Sequence, residues 1–296
     1  MKETKLLLSL AVHENVDAIV DQIKNIKKYI PNSYLILHCS HNLLHEYKNE
    51  IYNCVSKFDN VYINPQSLHT NYLDGTVLLA HLINLQYAES IQLEYSYLLL
   101  LGSNEMYVRS GVEQYIKSFE SSDGWQRAEN EQFDDGFSRA LNDPYLSLIL
   151  RKNNLTLKKR APEGTFYSNL QIQKSPFLSF IKSYNFKLLL LFYSNKPLAK
   201  LRVSTLTPMA RLLNKLKVFN FLSPLGYATE EFYLPSFFIG HSKVTKPVCY
   251  MDWDNNLNIS IEKINLIRDG MCEGKFSVKR VNRNMDDPIR IYINKL

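Results

Sequence analysis

Along the first hundred residues, short unbroken apolar runs alternate with longer segments in which apolar positions recur every three or four residues. Lys5 to Val12 is the first run and predicts a buried strand. Val16 to Tyr29 then sets Val16, Ile19, Val20, Ile23 and Ile26 at helical spacing, and Pro31-Asn32 stops that helix. The unit repeats: a strand at Tyr34 to Cys39, a helix at Leu43 to Phe58, a short strand at Val61 to Ile63, a helix at Gly75 to Ser90 and a central strand at Tyr95 to Leu101. In the third helix Val77, Leu78, Ala80, His81, Leu82 and Leu85 form the expected buried stripe. Such alternation predicts an α/β fold, a mostly parallel central sheet flanked by helices and joined by right-handed crossovers. Ligands of open sheets of this kind sit beyond the carboxyl ends of the strands. The segments expected there are His13-Glu14-Asn15, His38-Cys39-Ser40-His41 and Gly102-Ser103-Asn104-Glu105.

After Tyr115 the pattern changes. Ser121 to Asp143 is rich in Asp, Glu, Asn and Gly and reads as a long loop or lobe boundary. Beyond it come a strand-like Thr165 to Ile172, an apolar run at Leu188 to Tyr193, a helix near Thr229 to Phe238 and a late strand at Val248 to Trp253. A chain of 296 residues can bury one large core. The expected organisation is a single domain over 1–296 with two halves, 1–122 and 123–296, the second an α/β mixture built onto the first sheet.

Composition narrows the class. A hydrophobic fraction of 45% and a charged fraction of 22% exclude a disordered chain. No run approaches the ~20 apolar residues of a membrane span, and the apolar start is too short for a secretory signal, so a cytoplasmic protein is expected. Cys39, Cys54, Cys249 and Cys272 contain no C-x-x-C pair and suggest neither a zinc knuckle nor a disulfide framework. A glycine-rich phosphate loop is absent, which argues against a nucleoside triphosphatase or a dinucleotide enzyme. The formal charge is +6, yet no nucleic-acid-binding motif accompanies it, so no nucleic-acid partner is expected. The distribution of charge is more telling. Gly164 to Thr229 holds no Asp or Glu, while Lys174, Lys182, Lys187, Lys196, Lys200, Arg202, Arg211, Lys215 and Lys217 all fall there. That segment is either a solvated loop and helix or a face for anionic lipid, which would place the protein peripherally on the inner face of a membrane.

The stretch Tyr97-Leu98-Leu99-Leu100-Leu101-Gly102-Ser103-Asn104-Glu105 resembles an apolar strand and turn of the core-2/I-branching family of glycosyltransferases, where the strand runs into Ser-Gly-x-Asp. Tyr34 to Ser40, with His38, is similar to that family's early strand ending in His-x-Asp. Glu163-Gly164-Thr165-Phe166-Tyr167 is similar to its Gly-Ser-x-aromatic segment, and Thr229-Glu230-Glu231-Phe232-Tyr233 to its Pro-Asp-Glu-aromatic element. Asp252-Trp253 and then Phe276-Ser277-Val278-Lys279-Arg280, similar to Phe-Ala-Arg-Lys-Phe, complete a colinear series. Glu105, Ser40 and Thr229-Glu230 depart from the family pattern.

The resemblance implies a GT-A-like, Rossmann-related fold, with 1–122 as the nucleotide-sugar-binding half and 123–296 as the acceptor and catalytic half. It implies an inverting transfer from a nucleotide-diphosphate donor to a glycan or lipid-linked glycan hydroxyl; a UDP-sugar donor and a place in bacterial surface polysaccharide or lipopolysaccharide assembly are the further expectations. Glu231 takes the place of the base that removes the acceptor proton. Lys279 and Arg280 take the place of the cations that stabilise the leaving diphosphate, so neither a metal nor another cofactor is expected. The turn at Gly102 to Glu105 offers one carboxylate and a poor metal site; Asp252-Trp253-Asp254 has Asp-x-Asp spacing but lies late in the chain. His13, His38 and Glu105 are the expected nucleotide contacts. Glu163, Tyr233 and Trp253 are the expected acceptor contacts, a carboxylate for hydroxyls and two flat rings for sugar faces. A non-catalytic nucleotide-sugar or glycan-binding protein of the same fold is the alternative.

Overall fold

A computed structural model describes residues 5–13, 15–123, 135–176, 178–179, 184–216, 218, 224–239, 242–252 and 258–296. The first run becomes strand β1 (Leu6–Val12), buried along almost its whole length because neighbours cover both faces. Helix α1 (Val16–Tyr29) starts where the Asn15 side chain accepts from the Ala18 amide at 2.8 Å, which satisfies an amide the first turn leaves open. Strand β2 (Tyr34–Cys39), helix α2 (His41–Val55), β3 (Val61–Ile63), α3 (Thr76–Ser90) and β4 (Tyr97–Leu101) follow. β1 pairs in parallel with β2 on one side and β4 on the other, with Leu7 opposite Tyr34 and Leu98. The chain thus winds outwards from β1 in both directions, and the switch lies between β1 and β4.

The seven-stranded sheet runs β3-β2-β1-β4-β7-β6-β8, with β6 at Ser121–Ser122, β7 at Phe166–Ser168 and β8 at Val244–Thr245. β7 is antiparallel to β4, pairing Leu99 with Phe166, so the sheet is mixed on that side. A second sheet of three short strands joins β5 (Met106–Tyr107), β10 (Ser277–Val278) and β9 (Cys249–Tyr250) in the order β5-β10-β9. The mixture of helices and a largely parallel central sheet expected from the periodicity is present.

The second half departs in detail. The strand expected over Thr165 to Ile172 stops at Ser168, whose hydroxyl accepts from the Gln171 amide and starts a helix, Asn169–Lys174. The strand expected over Val248 to Trp253 is reduced to β9 and lies in the small sheet. The basic segment is helical, with Tyr184–Ser194, Lys196–Leu201, a π-turn over Arg202–Leu206 and Thr207–Lys215.

One hydrophobic cluster takes side chains from both halves: Leu7, Ile36 and Leu98 of the sheet, Leu78, Leu82 and Leu85 of α3, and Phe232, Phe237 and Phe238 of the helix Glu230–Phe238. Helix α3 is therefore covered on both sides, and each of its buried leucines contributes about 1.5–3 kcal/mol of transfer free energy. Val77 alone of the expected stripe is left exposed. Gly75 begins this helix at φ +81°, and a Cβ there would lie 2.8 Å from Pro224. Among the described residues no helix is long and apolar enough to cross a membrane.

Candidate functional site

A cleft of about 430 Å³ opens at the carboxyl ends of β1 and β4, the point where the strand order reverses. Ala11, Val12 and His13 come from the end of β1, and Leu100 to Ser103 from the end of β4. The loop Thr70 to Tyr72, helix α3 through Val77 and His81, and the side chains of Glu163, Glu230 and Lys279 close the remaining walls.

The turn after β4 is held from behind by α1. Gln22 Nε2 donates to the carbonyls of Gly102 at 2.8 Å and Glu105 at 2.9 Å, and Asn25 bonds both backbone groups of Tyr107. Glu105 folds back on its own turn: one carboxylate oxygen accepts from the Gly102 amide at 3.0 Å and the other from the Ser277 hydroxyl at 2.5 Å. Burial pushes this carboxyl up to about 7 against those bonds. Glu105 is buried and does not line the cleft, so the expected nucleotide contact is corrected to a brace between the β4 turn and β10. The brace has a consequence for the cleft. Two residues beyond Ser277, the Lys279 amide donates to Tyr250 O at 2.9 Å and its ammonium forms an ion pair with Glu163. A Cβ on Gly102 would lie 3.1 Å from Lys279 Cε, so the lysine stem passes directly over that glycine.

The carboxylate at the N-terminus of the helix Glu230–Phe238 that lines the cleft is Glu230, and Glu231 is not among the lining residues. Successive helical residues point about 100° apart, so the two carboxylates project in different directions. The backbone carbonyl of Glu231 instead accepts from the Arg160 amide at 2.8 Å, tying the helix to the 157–163 segment. Burial pushes the Glu230 carboxyl up to about 8 against a backbone hydrogen bond; the carboxylates of Glu231 and Glu163 push the same way, and Lys279 opposes.

Other expected residues are placed as follows. Glu163 and His13 line the cleft. Arg280 is exposed at φ +72° and does not line it; Arg283 reaches the cleft rim instead, donating to the Ser103 hydroxyl at 2.9 Å. His38 is fully buried, accepts from the Leu68 amide at 3.1 Å and is held down to about 3 by burial, so it braces the 64–72 segment and does not line the cleft. Tyr233 is buried in the core and donates to Asp143 at 2.9 Å beside Tyr227, so its ring offers no face to a sugar. Trp253, with Asp254, lies outside the described residues. Among the described residues no group of three or more His, Cys, Asp or Glu side chains could hold a metal ion.

His81, expected only as part of a buried stripe, lines the cleft. Ser9 Oγ accepts from Asn84 at 3.1 Å and lies at hydrogen-bond distance, 2.9 Å, from His81 Nδ1, which orients the ring. Burial lowers this histidine to about 4, with Glu163 opposing, and the ring is neutral at pH 7. A histidine in an otherwise apolar helix beside a strand's carboxyl end was the available signal. The cleft thus joins a carboxyl titrating near neutrality, an ammonium paired to a second carboxylate, and a neutral imidazole.

No family model matches the chain, and no curated protein does. Among solved structures, the apo structure of WbbM, a bifunctional glycosyltransferase, is similar at a TM-score of 0.33 and 10% identity, over 100% of this chain and 52% of that one. This chain spans about half the length of that protein. Likeness at that level carries no argument about chemistry, which rests on the cleft itself.

Proposed function

We propose that the cleft is the active site of a glycosyltransferase that moves a sugar from a nucleotide-diphosphate donor to a glycan hydroxyl with inversion. The observation that carries this reading is the presence of Glu230 and Lys279 in one cleft at the sheet's switch point. In the reaction the acceptor hydroxyl gives its proton to the Glu230 carboxylate while its oxygen bonds to the anomeric carbon. The bond from that carbon to the diphosphate oxygen breaks, and the diphosphate leaves with the electron pair. Lys279 is placed to offset that charge, and Arg283, bonded to Ser103 on the same turn, brings a second cation close. As the diphosphate draws the Lys279 ammonium, Glu163 is released to accept from sugar hydroxyls. His13 and His81, both lining the cleft, face the nucleotide side. A UDP-sugar donor, no metal, and bacterial surface polysaccharide or lipopolysaccharide assembly complete the proposal.

The second reading is a non-catalytic nucleotide-sugar or glycan-binding protein. The Lys279–Glu163 ion pair favours it, because a cation already matched by a carboxylate offers less to a leaving group. A panel of nucleotide sugars separates the two, with binding followed by thermal shift with and without EDTA and turnover by release of the nucleotide diphosphate. Glu230→Gln is expected to lower kcat roughly a hundred- to ten-thousandfold while the donor-induced shift is retained. Turnover that survives this substitution refutes the role of Glu230; donor binding without turnover in the unaltered protein supports the binder.

A further inference from the structure

From Lys196 to Lys215 the chain is helical without interruption, its π-turn at Arg202–Leu206 widening one turn in the middle. Two stripes run along it. Ala199, Arg202, Thr207, Ala210 and Asn214 face inward and are buried. A second stripe is apolar and exposed: Leu198, Leu201, Met209, Leu212 and Leu216, with Leu212 at 56% and Leu216 at 63%. Their spacing of three or four residues, lengthened across the π-turn, puts them on one face. The preceding helix adds Leu188 and Leu191, both exposed. Lys196, Lys200 and Lys215 are exposed beside the apolar stripe, and no Asp or Glu occurs anywhere from Gly164 to Thr229. Isolated exposed leucines need no explanation, but a row of them on one face, flanked by cations alone, does.

The geometry points to an interfacial helix that lays this face into an anionic lipid bilayer, the leucines entering the headgroup boundary and the lysines meeting lipid phosphates. The complementary charge selects the occupant: a second copy of this chain would bring a facing set of cations, whereas an anionic leaflet neutralises them. The face is also joined to the cleft. Arg211, on the same helix, donates to the Tyr72 carbonyl at 2.7 Å and lies 5.9 Å from its ring, and Tyr72 is 75% exposed and lines the cleft. Docking therefore brings the cleft mouth to the lipid surface. Resting on the transferase reading, this names the acceptor class as a glycan carried on a membrane lipid.

The test is co-sedimentation of the full chain with phosphatidylcholine vesicles, with and without phosphatidylglycerol, at low and high salt. Binding that requires phosphatidylglycerol and weakens with salt is expected. Lys200→Gln and Lys215→Gln should each lower the partition coefficient about fivefold. Leu212→Asp with Leu216→Asp should abolish binding while the thermal unfolding curve and the donor-induced shift stay unchanged, since both side chains are on the surface. No binding to anionic vesicles, or binding indifferent to both sets of variants, overturns the proposal. A dimer in sedimentation velocity that Leu212→Asp dissociates, without vesicle binding, overturns it in favour of a second copy. Vesicle binding by an unaltered protein that releases no nucleotide diphosphate from any donor sinks the transferase reading alone; an unaltered protein that shows the donor-induced shift but binds no anionic vesicle sinks only the docking.

Discussion

Arg202→Met tests how the acid-free segment shapes the cleft. Arg202 and Asp74 are both fully buried, joined at 2.8 Å, and the guanidinium also bonds the His69 carbonyl and lies 4.4 Å from the Tyr193 ring. Removing the arginine leaves Asp74 with the Thr76 hydroxyl at 2.8 Å and the Thr76 amide at 3.3 Å, and strands the His69 carbonyl at the start of the loop that walls the cleft. Breaking a buried pair on one side costs about 3–5 kcal/mol. An independent bound follows from titration. Burial already raises Asp74 above its usual 3.8, with Arg202 as the chief opposing influence, so the variant carboxyl rises further. It can escape the charge penalty by binding a proton, which costs about 4 kcal/mol at pH 7 and about 1.6 kcal/mol at pH 5 at about 1.36 kcal/mol per unit. A carboxyl whose folded value is raised binds protons more readily when folded, so stability is lost as pH rises from the unfolded value through the folded one. The penalty of Arg202→Met should therefore be about 3–5 kcal/mol at pH 7 and shrink by up to about 2–3 kcal/mol at pH 5. Urea unfolding at the two pH values measures it. Asp74→Asn combined with Arg202→Met should be less damaging than Arg202→Met alone. A cost under about 1 kcal/mol, or one that is equal at both pH values, would refute the reasoning.

Two further predictions concern the cleft. If Glu230 is the base, it acts only when deprotonated, so kcat/KM should climb as pH rises through about 8 and level off above; a profile flat from pH 6 to 9, followed by nucleotide diphosphate release, removes Glu230 from that role. Gly102→Ala would place a methyl 3.1 Å from the Lys279 stem, so donor affinity in the thermal-shift titration should fall several-fold, because the lysine has to shift while its flexible stem spares the fold. Unaltered affinity would show that Lys279 does not hold the donor.

The outward-winding half was legible because its signals are local. The run Leu98 to Leu101 sits between two helical patterns at the length of a buried strand, and the spacing of Val16 to Ile26 makes one helical face whatever the partners, whereas the equally unbroken run Leu188 to Leu191 is a helix. The weaker second half was not. Thr165 to Ile172 carries strand-like residues, but the Ser168 hydroxyl caps a helix there, and Val248 to Trp253 keeps only two strand residues because its neighbour is the small sheet. His13 was expected from its place at the end of the first strand, and Glu163 and Lys279 from motifs that resemble the glycosyltransferase family; all three line the cleft. Glu105, His38 and Tyr233 were misread for a common reason: a polar side-chain atom can turn inward to satisfy a buried partner, and which way it turns depends on residues 30 to 172 positions away.

By itself, the amino-acid sequence determined where apolar surface had to be hidden and where cations accumulated, since both follow from residue type and spacing. Only the tertiary structure decided which of the adjacent Glu230 and Glu231 faces the cleft, that Arg202 turns inward to Asp74 while Lys200 and Lys215 stay outside, and that Arg283 replaces Arg280 at the rim. Those choices depend on helix rotation and on partners distant in the chain, and a hydrogen bond or an ion pair is specified by where its two ends meet in space.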